Sequence, residues 1–143
     1  MNMPGEEKII IYGFGDKEAF PSPENLTEYL SEGLFKGSKG RCRFTQSKNA
    51  DIIVVSREGL AYGHLNVEEK VEPTQEDLES FPPAKCTYLI SASSVYETRI
   101  QLNDELGIRV GSFGKAISKE QFEAIKAKAG LISTYNSQGR VNI

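Results

Sequence analysis

The side chains in this sequence that could do chemistry fall in three places. Ser56 and Arg57 follow directly on a short apolar run, Ile52 to Val55. An arginine there could hold a phosphate or a base edge through its planar fork, a two-point contact that lysine cannot copy. Lys36, Lys39, Arg41, Arg43 and Lys48 lie in one tract, Leu34 to Asn49, which contains no acidic residue. Cations beside exposed, glycine-rich backbone suit polyanions, and a solvated loop has the same composition. The third group is aromatic. Tyr12, Phe14, Phe35 and Phe113 are expected at the ends of elements, where a ring could stack on a base.

Other reactive residues point away from catalysis. The single histidine, His64, stands inside an alternating stretch, where a packed or surface imidazole is the expectation. Cys42 and Cys86 are too few and too far apart for a disulfide framework or a zinc site, so both read as reduced structural thiols. Glu68, Glu69, Glu72, Glu76, Asp77 and Glu79 have no histidine or cysteine among them and read as a solvated acidic face. There is no nucleophile elbow, Walker loop, HExxH or Cys–His pairing. Gly13-Phe14-Gly15 lacks the third glycine and the βαβ setting of a dinucleotide motif. No catalytic residue, cofactor or metal is therefore assigned.

These residues must be positioned by a chain of 143 residues, a length that fits one domain. The apolar fraction of 38% suffices for a core and leaves no run long enough to span a bilayer. The opening MNMPGEEK puts charges and a proline where a signal peptide needs an apolar stretch, so the expected location is cytoplasmic. A net charge of −3 argues against coating nucleic acid non-specifically but leaves room for a local basic groove.

The organising stretch is Asp51 to Val71. Ile52 to Val55 predicts a strand buried on both faces, and Gly59 predicts a tight turn. From Leu60 onward the pattern alternates, with Leu60, Tyr62, His64 and Asn66 on one face and Ala61, Gly63, Leu65 and Val67 on the other. Gly63 marks a bulge or bend.

Lys8 to Tyr12 predicts a first strand, and Pro23 to Glu32 a first helix, capped by Ser22 and stopped by Gly33. Arg41 to Thr45 could pair as a short strand. Thr74 to Phe81 predicts one or two helical turns ended by Pro82-Pro83. Lys85 to Ser91, Val95-Tyr96, Arg99 to Leu102 and Gly107 to Phe113 are further strand segments. Gly114-Lys115 then turns the chain into a helix from Lys119 to Ala129. Ser118 and Gln121 form its capping box, Ile117 and Phe122 its staple, and Gly130 its stop. Leu102, Ile108, Phe122 and Ile125 should be buried together. Residues 1–132 read as one domain and 133–143 as a polar, mobile tail. The fold class expected is α+β: a small, mostly antiparallel β-barrel flanked by two or three helices.

The order of these pieces resembles the PUA-like superfold, and within it the EVE-type domains related to YTH and ASCH domains. The likeness rests on the first strand, the helix ending at Leu34-Phe35, the basic loop, Ala50-Asp51-Ile52-Ile53-Val54-Val55, and Ser112-Phe113-Gly114-Lys115-Ala116-Ile117-Ser118 with its helix. It spans most of Ile9 to Gly130. The resemblance implies a pocket between barrel and helices that takes a flipped, often modified, nucleobase. Its wall would be Tyr12 or Phe14, Phe35, Ser56, Arg57 and Phe113. With Lys39, Arg41, Arg43 and Lys115, these are the candidate binding residues. The chain has no tryptophan, so phenylalanine and tyrosine must supply the rings.

The function expected is a non-enzymatic module that binds DNA, RNA or a nucleotide, with no membrane partner. Two alternatives stand beside it. One is a small-barrel, metal-free ribonuclease of the MazF-like toxin kind, recruiting Arg57, Arg99 and Ser56. The other is a protein-interaction module with no nucleic-acid ligand.

Overall fold

In the computed structural model, the structure describes residues 8–13, 30–31, 41–44, 50–72, 74–75, 79, 86–109, 115–136 and 139–140. The strands are β1 (Ile9–Gly13), β2 (Arg41–Phe44), β3 (Ile52–Arg57), β4 (Leu60–Val71), β5 (Cys86–Gln101), β6 (Lys115–Ile117), β7 (Ile132–Asn136) and β8 (Gly139–Arg140). The helices are α1 (Leu102–Leu106) and α2 (Lys119–Lys128). The chain is thus mostly β with two helices among the described residues, an α+β arrangement.

All the strands join one mixed sheet in the order β6-β1-β3-β4-β5-β7-β8, with β2 also pairing β5. Most pairs are antiparallel, as expected. β1 and β3 are parallel, and the long stretch between Gly13 and Ile52 supplies the crossover that such a pair needs. A closed barrel is not shown. Among the described residues the sheet is not closed, because its path ends at β6 on one side and β8 on the other.

β3 is the buried strand that its apolar run predicts, with all six residues from Ile52 to Arg57 buried. Alternate residues feed two cores on opposite faces of the sheet. Ile53 and Val55 pack with Tyr12, Leu30, Tyr62, Leu65, Tyr88 and Ile90. Ile52 and Val54 pack with Ile9, Ile11, Ala61, Tyr96 and Ile100, and the helices cover this second core with Leu102, Phe122 and Ile125, joined by Ile108 and Ala129 just beyond the helix ends. Leu102, Ile108, Phe122 and Ile125 are therefore buried together, as their spacing predicts.

The β3–β4 turn places Glu58 at φ 54° and Gly59 at φ 81°. Two consecutive positive φ angles are the geometry that joins twisted strands through a two-residue hairpin. At α2 the capping box is complete: the Gln121 N–H donates to Ser118 Oγ at 3.1 Å and the Ser118 N–H to Gln121 Oε1 at 2.9 Å. Gly130 follows at φ 73°.

Several boundaries differ from the sequence expectation. Leu102 opens α1 rather than ending a strand, and Gly107, at φ 65°, closes that helix. Lys115 belongs to β6 rather than to a turn. The stretch read as a polar tail from Ser133 supplies most of β7, which pairs with β5 along Ser93–Tyr96, and also β8. The reason is that an open strand edge recruits backbone, whatever the side-chain periodicity. Pro23–Glu32 lies largely outside the described residues; Leu30, within it, is fully buried. No helix among the described residues is long and apolar enough to cross a membrane.

Candidate functional site

The expected site residues divide between two ends of the sheet. At one end β1 and β3 finish side by side, with Tyr12 opposite Val55 and Gly13 opposite Ser56. β6 lies on the other edge of β1 and runs antiparallel, so its first residue, Lys115, stands opposite Ile11 at the same end. These pairings put Tyr12 and Arg57 on the Leu30-side face at this end, whereas Ser56 and Lys115, paired with Ala61 and Ile11, lie on the opposite face.

Their environments differ. Tyr12 is 6% exposed and belongs to the Leu30-side core. Its expected place at an element end is corrected, because β1 continues through Gly13 and turns the ring onto Val55's face. Ser56 is buried, and its hydroxyl donates to the Tyr12 carbonyl oxygen at 3.1 Å, tying the two strand ends together. Arg57 is 5% exposed, and Lys115 is exposed.

Arg57 sits opposite Leu60 across the hairpin. Leu60 and Tyr62 both pack on the Leu30-side core, so this face of the hairpin carries Arg57, Leu60 and Tyr62. From β5 the Arg99 guanidinium lies over the Tyr62 ring, with its carbon 4.5 Å from the ring centroid. Arg99 is exposed and makes no ion pair among the described residues. Sequence reasoning named Arg99 only for the ribonuclease alternative and missed its stacking on Tyr62. The one available signal was the shared face of Leu60 and Tyr62.

The basic tract lies elsewhere. Arg41 and Arg43 are in β2, opposite Leu89 and Thr87 of β5. Those β5 residues pair with Glu69 and Val71, at the far end of β4 from Leu60. An unbent strand from Leu60 to Glu69 would span about 30 Å. Phe14, Phe35, Lys39 and Phe113 lie outside the described residues.

A separate polar cluster lies beneath α2. His64 Nδ1 and the Tyr96 hydroxyl share a hydrogen bond of 2.7 Å, and the imidazole meets the Phe122 ring edge-on at 5.1 Å. Burial, and after it the Lys126 charge, lower the His64 pKa to about 4, so the ring is neutral near neutral pH. Burial also raises the Tyr96 phenol above its ordinary range. Beside them Ser94 and Thr134 join hydroxyl to hydroxyl at 2.9 Å. His64 is thus a packed core histidine held by a phenol and a ring, in keeping with its place in an alternating strand. Among the described residues, no three of the histidine, cysteine, aspartate and glutamate side chains come together as a metal site would require. No family model, curated protein or solved structure matches the chain.

Proposed function

We propose that this protein is a non-enzymatic nucleic-acid or nucleotide-binding module of PUA-like architecture. Its ligand site lies at the carboxyl end of the β1/β3 pair. In this reading the described sheet is the greater part of a PUA-like barrel, and DNA or RNA is the partner. The observation that carries it is Arg57, a charged residue buried to 5% exposure at the carboxyl end of the parallel β1/β3 pair, with the exposed Lys115 on β6, the strand along the far edge of β1. Crevices beyond the carboxyl ends of parallel strands are where open sheets take their ligands. A fixed guanidinium there supplies the two-point donor that phosphates and base edges accept.

The test is binding of a labelled single-stranded oligonucleotide to Arg57→Lys and Lys115→Ala variants, with thermal melting followed in parallel. Arg57→Lys keeps the charge and loses the fork. It is expected to weaken binding about tenfold, or roughly 1.4 kcal/mol. Lys115→Ala is expected to weaken binding less and to reduce the salt dependence by about one phosphate contact. Unchanged affinity in folded Arg57→Lys protein would overturn the assignment.

A further inference from the structure

Arg99 is the residue that the proposed site has not yet used. Its guanidinium carbon lies over the Tyr62 ring, 4.5 Å from the centroid, and the residue is exposed. Tyr62 itself is only 4% exposed, so the arginine, not the tyrosine, presents the planar surface to solvent. Arg57 and Tyr62 share that face of the sheet, and β3 and β5, which carry the two arginines, flank β4. Adjacent strands lie roughly 4.8 Å apart and Arg99 is two residues along β5 from the level of Arg57, so the two arginines are anchored about 12 Å from each other. One extended chain molecule can span that distance.

We infer that Arg99, backed by Tyr62, is a base-stacking plate, and that the ligand of this face is single-stranded nucleic acid rather than a free nucleotide. The inference rests on the proposed binding role of the Arg57 end. A guanidinium offers a flat, delocalised surface on which any base can lie, and the tyrosine beneath fixes its plane before the ligand arrives. Arg99 is exposed, so a strand can reach the plate from solvent. A duplex, whose bases are already stacked on one another, has no free face to place there.

The experiment compares the unaltered protein with Arg99→Lys, Arg99→Ala and Arg57→Lys. The probes are labelled oligothymidylate, thymidine monophosphate and a duplex of the same length, each titrated at several salt concentrations. The unaltered protein is expected to prefer the single strand to the mononucleotide and the duplex by about tenfold or more. Arg99→Lys retains the charge and loses the plane. It should weaken single-strand binding about fivefold or more with an unchanged salt slope, whereas Arg99→Ala should also lower the slope by about one contact. Full affinity in Arg99→Lys, with Arg57→Lys weakened in the same series, overturns the plate and leaves the Arg57 site standing. Equal affinity for monophosphate and single strand overturns it as well. If the unaltered protein binds none of the three probes, the site and the plate fall together.

Discussion

His64 carries the clearest consequence at the scale of one residue. An unfolded imidazole takes up its proton near 6.5, whereas the buried one does so only near 4. Between those values the unfolded chain binds more protons, so stability rises with pH through this window and is complete above it. The groups facing the ring do not reverse this. Tyr96 offers a neutral hydroxyl, Phe122 an edge, and Lys126 a positive charge held by Glu123 at 3.0 Å. On acidification from 6.5 to 4 the protein is expected to lose on the order of 3 kcal/mol through this group alone. The check is urea unfolding across that range for the protein and for His64→Gln, which keeps a polar side chain and does not titrate. The difference between their stabilities should shrink as pH falls, and a constant difference would contradict the buried neutral state. A lone histidine in an alternating strand was legible as a packed residue. Its partner Tyr96 was not, because contact across β4 and β5 depends on a register that neither segment encodes alone.

At the scale of elements, local signals were read well and long-range ones poorly. The α2 capping box and its Gly130 stop lie within a dozen residues of sequence and form as their spacing predicts. The Glu58-Gly59 turn is equally local. β4 shows where the reading ran out. Strict alternation puts Tyr62 and His64 on one face, yet Tyr62 packs with Leu65 in one core while His64 touches Phe122 in the other. The register shifts at Gly63 on both edges of β4, against Val55/Ser56 of β3 and between Ala61 and Gly63 along β5. An extra residue there reverses the alternation that follows it. Glycine is required because the strands approach closely: a Cβ on Gly63 would lie 2.0 Å from the Ser94 carbonyl oxygen. Since that neighbour is backbone, Gly63→Ala is expected to destabilise the protein by about 3 kcal/mol, the upper part of the range for overpacking. Urea unfolding monitored by circular dichroism measures it, and a loss below about 0.5 kcal/mol would show that β5 yields readily.

On the scale of the whole molecule, the sheet separates two positive regions that one dimension of sequence could not tell apart. Arg57 and Lys115 stand on opposite faces near the carboxyl end of the β1/β3 pair, while Arg41 and Arg43 lie on β2 at the other end of β4. The α+β class and the mostly antiparallel pairing were legible from strand patterns and the firm α2 start. The parallel β1/β3 pair and the β7 addition were not, because both are choices among strand edges that become available only when the chain collapses. The measurement that decides between the two regions is an amide chemical-shift map recorded while single-stranded oligonucleotide is added to the protein. The expected result is that the amides of Gly13, Ser56, Arg57, Arg99 and Lys115 shift together and saturate with one dissociation constant. Shifts confined to the β2 residues Arg41–Phe44, with the Arg57 end unmoved, would contradict the assignment and hand the interface to the basic tract.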